Sequence, residues 1–193
     1  LEIGNYMAGP FCGMQLADLG ADVVKVEEPR AGDLARRLPP MLDGESGQFV
    51  RLNRDKRSLA LDLKADEGKE LFRRLARRAD VIVENLRPGT MADLGLAPAA
   101  LLEANDRLIY AAISGYDQTG PRAKLAGHDI NYLGYAGVLD QTGSRGAPPA
   151  LSNLQIADLL GGAATAAVGI LGALVGAQRT GRGRYVDVAM ADS

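Results

Sequence analysis

Short apolar segments alternate with amphipathic or polar segments along most of this chain. Runs rich in valine, isoleucine, leucine and alanine predict strands that are buried on both faces. Such runs cover residues 1–3, 21–27, 58–62, 81–84, 108–114 and 185–189. Between them, the spacing of apolar residues predicts helices, most clearly over 66–78, where Leu71, Phe72 and Leu75 share one face. This alternation predicts an α/β fold, with a Rossmann-like, mainly parallel sheet and helices on both faces.

The segments that follow the predicted strands are mostly rich in glycine, proline, asparagine or charged residues. They are 4–9, 27–32, the residues after Asp62, 85–89 and 115–128, and four of the five have this composition. In an open parallel sheet, ligands bind beyond the carboxyl ends of the strands. We therefore expect the functional site in the loops at this edge.

Two residues stand out as candidate acid/base groups. His128, the only histidine, lies with Asp129 where a polar loop opens into a predicted helix over 129–137. Asp158 is the last charged residue before an uncharged run over 159–177. Histidine exchanges protons near neutral pH, and a histidine and an aspartate on opposite sides of one carbon could invert a stereocentre beside a carbonyl. The simpler interpretations are local packing or capping for His128 and a helix N-cap for Asp158.

Composition narrows the range of functions. The net charge of -2 gives no reason to expect nucleic acid or an anionic membrane as a partner. There is no G-x-G-x-x-G, P-loop or G-x-S-x-G motif, and one histidine argues against a catalytic metal. The run over 159–177 approaches the length of a membrane helix, but its glycines and alanines favour a core helix over a membrane span. The lone Cys12 allows no internal disulfide and fits a reducing, cytoplasmic location.

Several blocks of sequence resemble the α-methylacyl-CoA racemases of the family III CoA-transferase superfamily. The blocks are Met7 to Pro10, Leu16 to Glu27, Asn53 to Ser58, Ala79 to Gly89, Leu94 to Leu96, Asn105 to Tyr110, Gln118 to Pro121, Ala126 to Tyr132 and Gly181 to Gly183. The resemblance implies the family III CoA-transferase fold, truncated at the C-terminus. Residues 1–193 would be the N-terminal part of a CoA-binding large domain, with the small domain largely missing. It also implies an interlocked homodimer.

The resemblance further implies a mechanism. In the racemases, the residues matching His128 and Asp158 remove and return the α-proton of a 2-methylacyl-CoA thioester through an enolate. Asp129 would orient or tune His128, and backbone amides at the helix start would stabilise the enolate. In the transferases, the aspartate is instead a nucleophile that forms acyl-enzyme intermediates, so CoA transfer between carboxylic acids through Asp158 is the alternative. Coenzyme A enters as part of the substrate, with no permanently bound cofactor.

The resemblance also implies where the nucleotide of coenzyme A binds. The matching positions are Tyr6, Met7, Ala8, Arg30, Lys56, Arg57, Asn85, Leu86 and Arg87. Two positions depart from the family pattern, because Glu28 and Asp93 stand where many relatives carry arginine. We therefore expect Arg30, Arg57 and Arg87 to take over the phosphate contacts of those arginines.

Overall fold

Six parallel strands form the central sheet in the computed structural model, which describes residues 1–193. The whole chain forms eight strands, of which the central sheet contains six. They are β1 (Glu2–Ile3), β2 (Val23–Glu27), β3 (Met41–Leu42), β4 (Glu45–Ser46), β5 (Lys56–Ala60), β6 (Val81–Glu84), β7 (Ile109–Ser114) and β8 (Arg184–Ala189). The sheet has the order β5-β2-β1-β6-β7-β8, and every neighbouring pair is parallel. The remaining two strands, β3 and β4, form a separate antiparallel hairpin. The predicted Rossmann-like sheet is thus confirmed.

Helices cover both faces of the sheet, as the sequence predicts. They are α1 (Ala8–Asp18), α2 (Gly47–Leu52), α3 (Asp66–Ala76), α4 (Thr90–Asp93), α5 (Pro98–Ala104), α6 (Asp129–Tyr135) and α7 (Thr165–Thr180). Two 3₁₀-helices (Leu34–Arg37 and Leu139–Gln141) and a π-helix (Ala157–Ala164) complete the set. Helices α1 and α7 pack on one face, and α3, α4 and α5 pack on the other.

Small residues let the uncharged helix lie close to the sheet. Ala163, Ala166 and Ile170 are fully buried against Cys12 of α1 and Ile113 of β7. The helical stretch Ala157–Thr180 is 24 residues long and apolar enough, by length and composition alone, to cross a membrane. Its inner side instead forms part of the core, which fits the predicted core helix.

The structure adds short elements that the hydrophobic pattern does not predict. The hairpin of β3 and β4 lies in the segment predicted as a loop, and α4 has only four residues, too few to show a helical period. The strand predicted over 58–62 instead occupies Lys56–Ala60. It begins on a lysine because the Lys56 side chain is buried in an ion pair with Glu2, which hydrophobicity alone does not reveal.

The strand order reverses at β1, which has β2 on one side and β6 on the other. In open α/β sheets, the loops that diverge from such a point leave a crevice beyond the carboxyl ends of the strands. Here these loops begin at Gly4 after β1 and at Asn85 after β6. The fold therefore predicts a ligand crevice between these two loops.

Candidate active site

Asp129 connects His128 to Asp158 at the carboxyl edge of the sheet. His128 and Asp129 stand at the beginning of α6, after the loop that leaves β7, and Asp158 lies in the first turn of the π-helix. The Oδ1 atom of Asp129 accepts the backbone N–H of Asp158 at 2.9 Å. The structure thus brings Asp158 beside Asp129, which is 29 residues away in sequence and directly follows His128.

The ring of Tyr132 fixes the chain that carries His128. Tyr132 is buried and packs edge-on against Tyr116, with ring centroids 5.2 Å apart. A Cβ atom on Gly127 would lie 2.6 Å from the Tyr132 ring, so only glycine lets the chain pass here. His128 then takes the N-cap position of α6, where its N–H donates to Oδ1 of Asn131 at 2.9 Å. Its side chain is exposed, so His128 is not a packed core histidine.

The carboxyl group of Asp158 has the properties of an acid/base residue. The N-cap of the π-helix is Ile156, with no side-chain capping bond, so the interpretation of Asp158 as a helix cap is wrong. Burial, and secondarily the charge of Asp129, raises the pKa of Asp158 to about 6, while His128 opposes this rise. A carboxyl group with a pKa near neutrality can both accept and return a proton. It also lies in a π-helix, a geometry that is rare overall and frequent at functional sites.

The backbone amides beside Asp158 are already engaged. Its own N–H is bonded to Asp129, and the N–H of Leu159 donates to the carbonyl oxygen of Gln155 at 2.9 Å. The expectation that amides at this helix start receive an enolate oxygen therefore fails for these two groups.

An asparagine pair joins the two crevice loops at the strand-order reversal. Asn85 donates from Nδ2 to the carbonyl oxygen of Asn5 at 3.0 Å, and its Oδ1 accepts the N–H of Asn5 at 3.1 Å. A Cβ atom on Gly4 would lie 2.1 Å from this Oδ1, so the close approach requires glycine. Tyr6, which follows Asn5, has a left-handed backbone with φ 66° and an exposed side chain.

The other predicted nucleotide contacts in these two loops offer mainly backbone. Met7 is the N-cap of α1, and Ala8 is buried in the core behind it. Leu86 is half-buried, and its N–H is bonded to the carboxylate of Glu84 at 2.7 Å.

Two of the three predicted phosphate-binding arginines lie beside the crevice. Arg30 follows β2 and Arg87 follows β6, the strands on either side of β1. Both side chains are exposed, and neither forms an ion pair. Arg57 instead lies near the beginning of β5, at the amino end of the sheet, where it pairs with Asp22. The structure thus separates Arg57 from Arg30 and Arg87.

Lys56 is also withdrawn from the crevice. Its side chain is 2% exposed, and its Nζ atom lies 2.7 Å from the Glu2 carboxylate, 2.7 Å from the carbonyl oxygen of Pro10 and 2.8 Å from Oδ1 of Asn53. An ammonium group has three protons, and these contacts use all of them. Lys56 therefore has no proton left for a phosphate.

A buried ion network that sequence analysis missed supports the loop after β1. The Nζ atom of Lys25 lies 2.7 Å from Glu2 and 2.9 Å from Asp33, and it donates to the carbonyl oxygen of Gly4 at 3.0 Å. The second oxygen of Asp33 accepts the N–H of Tyr6 at 3.0 Å. The sequence holds one indication of this network. A lysine inside the apolar strand Val-Val-Lys-Val is expected to be buried and therefore to need a buried partner.

Comparison with known proteins identifies the family. The family model described as CoA-transferase family III matches residues 1–193. The chain belongs to CoA-transferase family III. Members of this family are enzymes that act on CoA thioesters.

Relatives of this family III chain include both racemases and transferases. It is 43% identical over 192 residues to the alpha-methylacyl-CoA racemase of Homo sapiens, covering 100% of this chain and 47% of that protein. It is 39% identical over 199 residues to the succinate–glutarate CoA-transferase of Agrobacterium fabrum, covering 100% of this chain and 50% of that protein. The chain spans about half the length of these curated relatives.

A solved structure confirms the fold of the family. The crystal structure of a CAIB/BAIF family protein from Brucella suis matches with a TM-score of 0.92 at 38% identity. The match covers 100% of this chain and 52% of that chain. The fold predicted from the resemblance is therefore confirmed.

Proposed function

We propose that the whole protein epimerises the α-carbon of a 2-methylacyl-CoA thioester. One member of the His128–Asp158 pair removes the α-proton, and the other returns a proton to the opposite face of the enolate. The observation that carries this proposal is the 2.9 Å hydrogen bond from the N–H of Asp158 to Asp129. This bond holds the start of α6, where His128 lies, against the turn that carries Asp158, and the charge of His128 opposes the burial that raises the pKa of Asp158 to about 6. Coenzyme A takes part only as a portion of the substrate.

The histidine favours racemisation over CoA transfer. Transfer through an aspartyl acyl-enzyme needs the Asp158 carboxylate as nucleophile and makes no use of a second proton carrier. Inversion at a carbon needs one acid/base group on each face, and His128 supplies the second group. Transfer of CoA between carboxylic acids through Asp158 is the alternative, because transferases are among the relatives of similar identity.

Isotope exchange in the whole protein separates the two reactions. With a 2-methylacyl-CoA in deuterated water and no added acid, we expect deuterium to enter the α-carbon and the two epimers to equilibrate. The reason is that the base that removes the α-proton exchanges it with solvent before the enolate is reprotonated. Mass spectrometry measures the incorporated deuterium. Turnover that requires an acceptor carboxylic acid, without deuterium in the substrate, would instead establish the transferase.

Replacement of the two crevice arginines should weaken the binding of coenzyme A. We expect Arg30→Gln and Arg87→Gln each to raise the Kd by about tenfold, the scale of one charge-assisted hydrogen bond to phosphate. Isothermal calorimetry with CoA checks this. The matched control is Arg107→Gln, because Arg107 is exposed in the turn before β7, at the opposite edge of the sheet. Equal Kd values for the wild type and the three variants would show that neither Arg30 nor Arg87 binds CoA.

We further propose that residues 1–193 form the N-terminal part of a CoA-binding domain that works in an interlocked homodimer. One side of the long apolar helix supports this, because Leu160, Val168 and Val175 are exposed and lie about two helical turns apart from one another. An uncharged helix face of this kind is suited to burial against further protein. Sedimentation of the whole protein measures its mass, and a monomer would contradict the dimer.

A further inference from the structure

Glu84 is a buried carboxyl group that neither the His128–Asp158 pair nor the arginines explain. It ends β6 immediately before the crevice loop, which consists of Asn85, Leu86 and Arg87. Only 5% of the residue is exposed. A carboxyl group in such a place requires a function or a compensating partner, because burial disfavours its charged form.

The partner of Glu84 is the crevice loop itself. Its Oε2 atom accepts the N–H of Leu86 at 2.7 Å, while Oε1 faces the hydroxyl group of Tyr110 at 3.5 Å. The residue between them in the chain, Asn85, forms the pair of hydrogen bonds with Asn5. The loop is thus held on one side by Glu84 and on the other by the loop after β1.

We propose that Glu84 is a positioning residue for acyl-CoA: its ionised carboxylate holds the crevice loop in the binding geometry, and protonation loosens the loop. This inference rests on the proposed binding of acyl-CoA at the crevice. A hydrogen bond to a carboxylate is roughly twice as strong as one to a neutral carboxyl oxygen. The loop that carries Arg87 is therefore better ordered when Glu84 is charged.

The protonation state of Glu84 is expected to change at physiological pH. Burial, with a smaller contribution from the charge of Asp187, raises the pKa of Glu84 to about 7, while the bonds from Leu86 and Tyr110 oppose the rise. The titratable groups that face it are Tyr110 on β7 and Tyr185 and Asp187 on β8. As pH falls through 7, Glu84 takes up a proton and its bond to the crevice loop weakens.

The test compares the whole wild-type protein with Glu84→Gln, which keeps the shape and removes the titration. Between pH 8 and pH 6, we expect the Kd of the wild type for CoA to rise about fivefold more than that of Glu84→Gln, on the scale of half a charged hydrogen bond. Glu84→Gln also reports any titration of CoA itself. Glu103→Gln, on the exposed surface of α5, should follow the wild type. Equal pH dependence of the wild type and Glu84→Gln would overturn the proposal.

A second measurement needs no ligand and so separates this inference from the proposed function. In NMR spectra without CoA, the Leu86 amide proton of the wild type should shift with a midpoint near pH 7, and that of Glu84→Gln should not. A Leu86 signal that stays constant from pH 6 to 8 would also overturn the proposal. If the Leu86 signal titrates but CoA does not bind at either pH, the proposed binding of acyl-CoA is contradicted, while the effect of Glu84 on the loop is confirmed.

Glu84→Gln should unfold at a higher temperature than wild type at pH 8, since the fold no longer holds a buried charge.

Discussion

His128→Ala is expected to reduce exchange of the substrate α-proton by about 10²–10⁴-fold, the usual contribution of a positioned acid/base group. With one face of the α-carbon left without a proton carrier, the epimers should no longer equilibrate. The measurement is deuterium incorporation from deuterated water by the whole protein, followed for each epimer separately. His128 is exposed but is the N-cap of α6, so the substitution should lower the free energy of unfolding by no more than about 1 kcal/mol.

Asp158→Asn provides the matched comparison, because Asp158 is required in both proposed reactions. It should abolish activity and still make the protein more stable at pH 8. The folded pKa of about 6 lies above the usual value of 3.8, so the folded state holds the proton more tightly and its stability falls as pH rises from 4 to 6. The neutral amide removes that loss. A His128→Ala protein with full activity alongside an inactive Asp158→Asn protein would point to CoA transfer.

Lys25→Met is expected to cost about 3–5 kcal/mol of stability, the range for breaking a buried ion pair from one side. Lys25 is 1% exposed, and its loss leaves the carboxylates of Glu2 and Asp33 without their shared partner. The loop after β1 should also loosen, because Asp33 bonds the N–H of Tyr6. Urea unfolding followed by circular dichroism gives the change.

Two controls define the origin of that loss. Arg57→Met breaks the exposed pair with Asp22 and should change stability by only about 0–1 kcal/mol. Adding Asp33→Asn to Lys25→Met should recover part of the stability, since Asp33 then no longer buries an unpaired charge and Glu2 keeps its ion pair with Lys56. A Lys25→Met protein as stable as wild type would show that the network does not stabilise the fold.

Hydrophobic patterning predicted the sheet because long elements carry a clear period. The strand Val81–Glu84 and the helix that begins at Asp66 match the expected elements closely. Helix α4 and the hairpin escaped prediction because each is too short to bury a recognisable apolar stripe. The position of β5 was missed because its first residue, Lys56, is buried in an ion pair with Glu2 rather than among apolar side chains.

The candidate catalytic residues were predictable because they are chemically exceptional. A lone histidine and the last acid before an uncharged helix stand out in any sequence of this composition. The nucleotide-binding residues were less predictable. Arg30, Arg57 and Lys56 look alike as cations near strand ends, yet Arg30 is free, Arg57 lies at the other edge of the sheet, and Lys56 is buried.

The sequence by itself determined the alternation of strands and helices, the parallel sheet and the candidate residues for the acid/base pair. These follow from the local period of apolar residues and from rare residue types. Only the tertiary structure decided that Asp129 joins His128 to Asp158, that Lys25 and Lys56 are consumed by internal partners, and that Glu84 holds the crevice loop. The reason is physical: a charge's role depends on its distance from other charges and from water, and that distance is set by packing between segments far apart in the chain.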